Sequence, residues 1–280
     1  MNPVSRYLVC EDREIHYTEW GAGNPATVIA WHGLARTGRD MDEVARHLSS
    51  RYRVICPDTI GRGLSQWSPA PEKEYCLAFY ARIAVSLLDQ LGVRETCWLG
   101  TSMGGALGIH LAAGALRGRI QRLILNDIGP QLGEAAVERI RSYAGSPAQF
   151  DRVSELERYF RTVYKPYGWL SDEQWRHLAE TSTRRTDEGR VTPHYDPKMA
   201  LQFVHHPADY DQWQEWDAID IPTLCLRGES SDLLLPEVTD QMRSRGPRAV
   251  VVLIPGCGHA PALNVPDQLA LVERFLNGRQ

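Results

Sequence analysis

The stretch TCWLGTSMGG, residues Thr96–Gly105, decides how the rest of this 280-residue chain is interpreted. It begins with a short apolar run of strand length, and apolar residues at helical spacing continue from Met103 to Leu116. The pattern Gly-x-Ser-x-Gly lies at the junction. A serine squeezed between a strand and a helix must adopt a strained turn, so small residues are needed beside it. The sequence therefore predicts a nucleophile elbow with Ser102 at its tip.

The same region invites a membrane interpretation, because Thr96–Leu116 contains no charged residue over 21 positions. Its many glycines, with Ser102 and His110, favour a strand, a tight turn and a buried helix instead. The beginning of the chain shows no apolar stretch before the charged run Glu11–Glu14, so no signal peptide is expected. We therefore expect a cytoplasmic protein that does not associate with a membrane.

Composition excludes several classes of protein. The chain has 31 basic and 35 acidic residues, and 43% of its residues are hydrophobic. This apolar content is too high for a disordered chain, and a net charge of −4 argues against a nucleic-acid partner. The six cysteines show no C-x-x-C pairing and are expected to be buried thiols rather than metal ligands or disulfides.

Short apolar runs alternate with segments of helical period, which predicts a mostly parallel sheet with helices on both faces. Eight strands are predicted, near Arg6–Cys10, Ile15–Trp20, Ala26–Trp31, Arg53–Cys56, Thr96–Leu99, Ile120–Asn126, Thr223–Arg227 and Ala249–Ile254. The clearest helices are predicted at Met41–Leu48, Leu77–Leu91, Met103–Leu116, Glu237–Arg243 and Asp267–Leu276.

The strand signal disappears between Pro130 and Trp216, a segment that holds 13 of the 24 aromatic residues. It is interpreted as a helical insertion, residues 130–216, in a core formed by residues 1–129 and 217–280. Its aromatic side chains either attach the insertion to the core or, as we consider for Trp169, face a cleft that binds an apolar ligand.

A serine needs a histidine base and an orienting carboxylate to act as a nucleophile. His259 follows the last apolar strand in the loop GCGHAP, where a side chain projects from the carboxyl edge of the sheet. Asp232, after the penultimate strand, is the first choice for the carboxylate because it completes the order Ser, Asp, His. Asp127, directly after the sixth strand, is the second candidate.

Two further turns leave the same sheet edge. The turn His32-Gly33-Leu34 follows the third strand and can present the N–H of Leu34 to the oxyanion that the N–H of Met103 also faces. His32 then organises the loop. The run Asp58–Ser65 lacks the G-K-[ST] ending of a phosphate loop, which argues against nucleotide binding.

Taken together, His32-Gly33, the D-x-x-G-x-G-x-S run at Asp58–Ser65, the elbow, and the acid and base candidates resemble the α/β-hydrolase superfamily over essentially the whole chain. The resemblance implies an eight-stranded, mostly parallel, doubly wound sheet with a helical cap inserted after the sixth strand. It implies a triad of Ser102, His259 and Asp232, and an oxyanion hole formed by the N–H groups of Leu34 and Met103.

Ser102 stands where haloalkane dehalogenases and epoxide hydrolases carry an aspartate, so those activities are not expected. The elbow is similar to those of cofactor-free haloperoxidases, enol-lactonases and hydrolases that cleave carbon–carbon bonds. Our leading hypothesis is hydrolysis of a small carboxylic ester or lactone through an acyl-enzyme. We assign substrate contacts to His32, Gly33, Trp67 and Trp169, and expect no metal and no cofactor.

Two alternatives remain at this point. The first is carbon–carbon hydrolysis of a ring-fission dienoate, whose carboxylate would need a cation. Candidates are Arg158, Arg161, Arg184 and Arg185, unless they form a solvated helix face. The second is a hydrolase-like receptor that binds a small ligand without turnover. The oligomeric state is left open.

Overall fold

The computed structural model describes residues 2–278 and contains an eight-stranded sheet. Its strands are β1 (Val4–Cys10), β2 (Arg13–Trp20), β3 (Thr27–Trp31), β4 (Arg53–Pro57), β5 (Thr96–Thr101), β6 (Ile120–Asn126), β9 (Thr223–Gly228) and β10 (Val250–Ile254). They lie in the order β1-β2-β4-β3-β5-β6-β9-β10. β2 pairs antiparallel with β1 and β4, and the other pairs are parallel. All eight predicted strands, and the mostly parallel sheet, are confirmed.

Helices cover both faces of this sheet. They are α1 (Asp42–Leu48), α2 (Pro71–Glu74), α3 (Leu77–Gln90), α4 (Met103–Ala113), α10 (Pro236–Ser244) and α11 (Pro266–Leu276). Because strand side chains alternate, Ile29 and Trp31 of β3 pack with α3 and α4 on one face, whereas Val28 and Ala30 pack with α1 and α11 on the other. The sheet is therefore buried on both sides, which explains its continuous apolar strands.

The uncharged stretch predicted as strand, turn and buried helix has that structure. Most of α4 is buried, between β5 and β6 on one side and α3 and a later helix, α9 (Trp213–Ala218), on the other. The helix ends at Ala113, three residues before the predicted end, where Gly114 leaves the helical conformation. Within the described chain, no helix combines the length and apolarity needed to cross a membrane. The six cysteines carry free thiols, and all but Cys97 are buried.

The segment between β6 and β9 contains five α-helices, a small hairpin and three short 3-10 helices, Lys165–Tyr167, Pro197–Leu201 and Pro207–Tyr210. The helices are α5 (Glu134–Ala144), α6 (Val153–Val163), α7 (Asp172–Thr181), α8 (Gln202–His205) and α9 (Trp213–Ala218), and the hairpin pairs β7 (Thr183–Arg185) with β8 (Val191–Pro193). The hairpin was not predicted, because each strand has only three residues and most of them are polar. Phe160 of α6 and Trp175 of α7 share a separate apolar cluster. The division into core and cap at residues 130 and 216 stays a prediction.

Candidate functional site

Ser102 occupies the tip of a strained turn between β5 and α4. Its backbone has φ +50° and ψ −118°, a conformation that residues with a side chain rarely adopt. A Cβ on Gly100 would lie 2.2 Å from the carbonyl oxygen of Gly104, and one on Gly104 would lie 2.3 Å from that of Trp31. The two motif glycines are therefore required by backbone packing.

His259 connects the serine to a buried carboxylate. Its Nε2 lies 2.9 Å from Ser102 Oγ, and its Nδ1 lies 2.7 Å from Asp127 Oδ2. The histidine side chain is 18% exposed, whereas Asp127 is fully buried. An Nδ1–H donated to the carboxylate leaves Nε2 as the acceptor that faces the serine hydroxyl. The three groups are arranged to remove a proton from Ser102.

Sheet register explains why Asp127 reaches this position. Thr101 of β5 pairs with Asn126 of β6, so the next residue of each strand leaves the sheet at the same level. Asp127 adopts φ +55°, and the N–H of Ser102 donates to the Asn126 carbonyl at 3.0 Å. The nucleophile and the carboxylate thus project from neighbouring strands, one residue beyond a paired position.

Asp127 is held by the loop after β9. The N–H of Gly228 donates to its Oδ1 at 2.7 Å, and the hydroxyl of Ser231 donates to its Oδ2 at 2.5 Å. Together with His259, these donors use both carboxylate oxygens and compensate the burial of the charge. They also fix the direction in which Oδ2 faces the imidazole.

The structure corrects the first choice of carboxylate. Asp232 does not contact His259; it is 54% exposed and forms an ion pair of 2.7 Å with Arg139 of α5. Arg227 donates to the carbonyls of Ser231 and Leu234 and so fixes the loop from within. This anchoring turns the Asp232 side chain away from the imidazole, which is why its place in the sequence was misleading.

A cavity of about 420 Å³ opens in front of Ser102 and His259. It is lined on the core side by residues 33–36 and on the other side by α5, by the end of α6 and by the turn that follows α6. Apolar and aromatic side chains on that side include Ile140, Tyr143 and Tyr164. Tyr143 is 40% exposed, and its hydroxyl is protonated near neutral pH, as in any ordinary tyrosine, so it can donate a hydrogen bond.

The two residues predicted to supply oxyanion N–H groups, Leu34 and Met103, belong to segments that adjoin Ser102. Met103 is the first residue of α4, where an N–H has no acceptor within the helix and the helix dipole favours negative charge. Leu34 follows Gly33, at which an added Cβ would lie 3.6 Å from the Cβ of Ser102. Arg62 holds the Leu34 carbonyl at 2.9 Å, so the loop is fixed from behind.

The four residues predicted to contact the substrate differ in whether they line the cavity. Gly33 lines the cavity, but His32 is fully buried behind it. His32 Nδ1 donates to the Gly33 carbonyl at 2.6 Å and Nε2 accepts the Thr59 N–H at 2.9 Å, so it organises the loop. Burial lowers its pKa to about 4. Trp67 and Trp169 do not line this cavity, and Trp169 is 69% exposed.

Arg36, which the sequence analysis missed, lies beneath α6. Its guanidinium binds Asp40 through two hydrogen bonds of 2.7 and 2.8 Å and donates to Ser182 at 2.8 Å. It also lies below the rings of Phe160 and Tyr164. Asp40 is four residues away, but Ser182, Phe160 and Tyr164 are more than a hundred residues away, so the local sequence does not show that Arg36 reaches the site. It joins the Leu34 loop to the segment that covers the site.

A second serine, histidine and aspartate group shows that spacing alone does not define a site. Ser5 Oγ lies 2.6 Å from His16 Nε2, and His16 Nδ1 lies 2.7 Å from Asp58 Oδ2. Ser5 lies within the edge strand β1, and neither it nor His16 lines the cavity at Ser102. Asp58 also accepts the N–H groups of Gly38 and Leu64, so this group serves to hold loops.

The described part of the chain contains no group of three or more histidine, cysteine or acidic side chains placed to hold a metal ion.

Comparison with known proteins identifies the family of the fold. A family described as alpha/beta hydrolase fold matches residues 26–264. A 3-hydroxybutyrate-oligomer hydrolase of Cupriavidus necator is 39% identical over 94% of this chain and 92% of its own length. A 2-hydroxymuconate semialdehyde hydrolase of Pseudomonas putida is 26% identical over 98% of this chain and 94% of its own. A solved alpha/beta hydrolase from Novosphingobium aromaticivorans superposes with a TM-score of 0.87, at 32% identity over 98% of both chains.

Proposed function

The chain belongs to the α/β-hydrolase family, whose relatives include esterases and other hydrolases, and on that premise we propose that it is a serine hydrolase of small carboxylic esters or lactones. We place an oligoester of a short hydroxy acid first among its substrates. The observation that carries this proposal is the position of His259, hydrogen-bonded to Ser102 on one side and to Asp127 on the other.

In the first step, Ser102 Oγ attacks the ester carbonyl carbon and its proton passes to His259 Nε2. The imidazolium that forms is stabilised by Asp127, which keeps its negative charge. His259 then gives the proton to the departing alkoxide, so the alcohol leaves and the acyl group remains on Ser102.

In the second step, water enters the vacated position and His259 takes one of its protons. The hydroxide attacks the acyl carbon, the proton returns to Ser102 Oγ, and the carboxylic acid is released. The N–H groups of Leu34 and Met103 stabilise the tetrahedral oxyanion in both steps. Each such donor typically contributes a hundred- to a thousand-fold, roughly, to the rate.

The substrate class rests on two supports. The Cupriavidus relative, whose name gives 3-hydroxybutyrate oligomers as its substrate, matches nearly the whole chain. In addition, a second cavity of about 300 Å³ shares a wall with the first, so a substrate with several ester units has room on one side of the scissile bond. Its lining includes Tyr159, Tyr164 and Tyr195, which suit short apolar units with ester oxygens.

Carbon–carbon hydrolysis is the second candidate, favoured by the Pseudomonas relative. The arginines considered for its substrate carboxylate do not support it. Arg161 binds Glu157 and Asp172, Arg184 lies over the ring of Trp67, and none of the four lines the cavity at Ser102. The ester hypothesis is tested first because the Cupriavidus relative is 39% identical to this chain and the Pseudomonas relative 26%.

The test is mass spectrometry of the intact protein after a brief reaction with a small fluorophosphonate, which transfers its phosphonyl group to an activated serine and releases fluoride. We expect one adduct, lost in Ser102→Ala and strongly slowed in His259→Ala. The matched control is Ser5→Ala, which removes the serine of the second serine, histidine and aspartate group. This variant is expected to be labelled at Ser102 as the wild type is. Labelling of Ser102, together with hydrolysis of the trimer of 3-hydroxybutyrate by the unlabelled protein, supports the proposal.

An adduct that persists in Ser102→Ala would refute the nucleophile. No adduct on the folded protein would favour the non-catalytic receptor. Bleaching of a coloured dienoate without ester cleavage would favour the second candidate.

A further inference from the structure

The two cavities meet at α5 and α6. Five residues line both of them: Ala35, Arg139, Tyr143, Val163 and Tyr164. Arg139 therefore lies where the two cavities adjoin, on the wall of the cavity that also contains Ser102 and His259. A substrate whose scissile ester is at Ser102 and whose next unit ends at this junction places its terminal group beside Arg139.

Apart from His259, the charged residues that line the two cavities in the described chain are Arg36, Arg139 and Asp232. The charge of Arg36 is already neutralised by its two hydrogen bonds to Asp40. Arg139 is half exposed and, among residues 2–278, its guanidinium forms a single hydrogen bond, to Asp232. It is therefore the cation that keeps most of its N–H donors for a ligand.

We infer that Arg139 binds the terminal carboxylate of an oligomeric hydroxy-acid ester and selects free-acid oligomers over neutral esters of the same length. The inference rests on the proposed function, because it presupposes an ester substrate at Ser102. Every linear oligomer of a hydroxy acid carries one terminal carboxylate. A guanidinium fork matches that group with two parallel hydrogen bonds.

Asp232 acts as the exchangeable partner in this arrangement. Exposed ion pairs contribute little stability, so a substrate carboxylate can share Arg139 with Asp232 or displace it at small cost. Asp232 also places a negative charge beside the path of an anionic substrate. Its removal is therefore expected to strengthen the binding of the free acid.

The experiment compares the trimer of 3-hydroxybutyrate as the free acid with its methyl ester, by kcat and KM for each. Arg139→Gln is expected to lower the preference for the acid, as the ratio of the two kcat/KM values, by about ten-fold or more, the loss expected for one charge-assisted contact. For Arg139→Gln we expect this change in the KM for the free-acid trimer. Asp232→Asn is expected to raise the same ratio.

The matched control is Arg141→Gln. Arg141 lies two residues further along α5, is similarly exposed, and contacts Phe203 instead of either cavity. Its acid-to-ester ratio should stay within two-fold of wild type, roughly. Thermal unfolding is measured for each variant. Midpoints equal to that of the wild type are expected, because the substituted side chains are about half exposed.

An equal loss on both substrates in Arg139→Gln, or no loss on either, would overturn the inference while ester hydrolysis itself stands. If wild-type protein cleaves neither substrate although the fluorophosphonate labels Ser102, the oligoester proposal fails, and the carboxylate role of Arg139 fails with it. The two failures are thus separate results.

Discussion

Replacing Asp127 by asparagine tests the chemistry of the site most directly, because the structure dictates how the new amide must lie. The N–H of Gly228 points at Oδ1 from 2.7 Å and cannot rotate, so the amide oxygen must take that position. The amide NH2 is then forced to the Oδ2 position, 2.7 Å from His259 Nδ1. The hydroxyl of Ser231, which accepts the N–H groups of Leu233 and Leu234 at 3.3 and 3.2 Å, loses its acceptor at the Oδ2 position and must turn its proton elsewhere.

An amide donor facing Nδ1 makes that nitrogen an acceptor and moves the imidazole proton to Nε2. The base then presents N–H to Ser102 and cannot accept its proton. By comparison with an orienting aspartate in other triads, we expect Asp127→Asn to lower kcat by a thousand- to ten-thousand-fold, which is about 4 to 5.5 kcal/mol of transition-state stabilisation.

The assay is release of nitrophenol from a butyryl ester near neutral pH. Circular dichroism and thermal unfolding show that each variant is folded. Asp232→Asn is the competing carboxylate variant and is expected to cost less than about ten-fold on this neutral substrate, since Asp232 contacts Arg139 and not His259. A nearly silent Asp127→Asn beside a crippled Asp232→Asn would show that the assignment of the acid is mistaken.

Two further predictions concern stability. His32 has a folded pKa of about 4, below the value of about 6.5 expected in the unfolded chain. Between these two pH values the unfolded chain binds more protons than the folded protein. The free energy of unfolding therefore falls as the pH drops through that window. Urea unfolding should show a loss of about 2 kcal/mol from this group between about pH 7 and pH 4.5, which His32→Asn lacks; parallel pH curves for the two proteins would contradict it. Gly104→Ala places a Cβ 2.3 Å from the Trp31 carbonyl oxygen and should destabilise by about 3 kcal/mol or more, whereas Gly23→Ala meets nothing within 4 Å and should be nearly neutral. Equal midpoints of thermal unfolding for these two alanine variants would refute the packing argument.

The sequence was most informative where one short segment carried the whole signal. The apolar run, the glycines and Ser102 at the elbow depend on residues that are close together in the chain, and all eight strands were predicted from such local runs. His259 was singled out in the same way, by a glycine-rich loop after a strand.

The choice between Asp232 and Asp127 could not be made by the same reasoning. Both follow a strand, and sequence order does not tell which way a side chain points. The decision depends on the pairing of Thr101 with Asn126 and on Arg227, which anchors the loop from inside. Both are contacts between distant parts of the chain.

The residues that line the cavities were more difficult to predict from the sequence than the carboxylate. The aromatic content of the insertion predicted a ligand-facing surface without telling which rings form it. Tyr143 and Tyr164 line both cavities, whereas Trp169 is exposed. Arg139 belongs to a helix whose charged residues give no sign of which face meets the cleft.

The pairing of β5 with β6 has a consequence for how the site can vary among related chains. Ser102 and Asp127 are spaced by a hydrogen-bonded sheet ladder, so their separation is insensitive to the lengths of the loops around them. Residues 232–235 carry none of the three groups, and changes there alter the rim of the cavity while leaving the spacing of serine and carboxylate intact. His259 depends on its own loop for its position, and residues Gly228 and Ser231 of the loop after β9 orient Asp127, so insertions or deletions next to these residues are expected to disturb the hydrogen bonds among the three groups most.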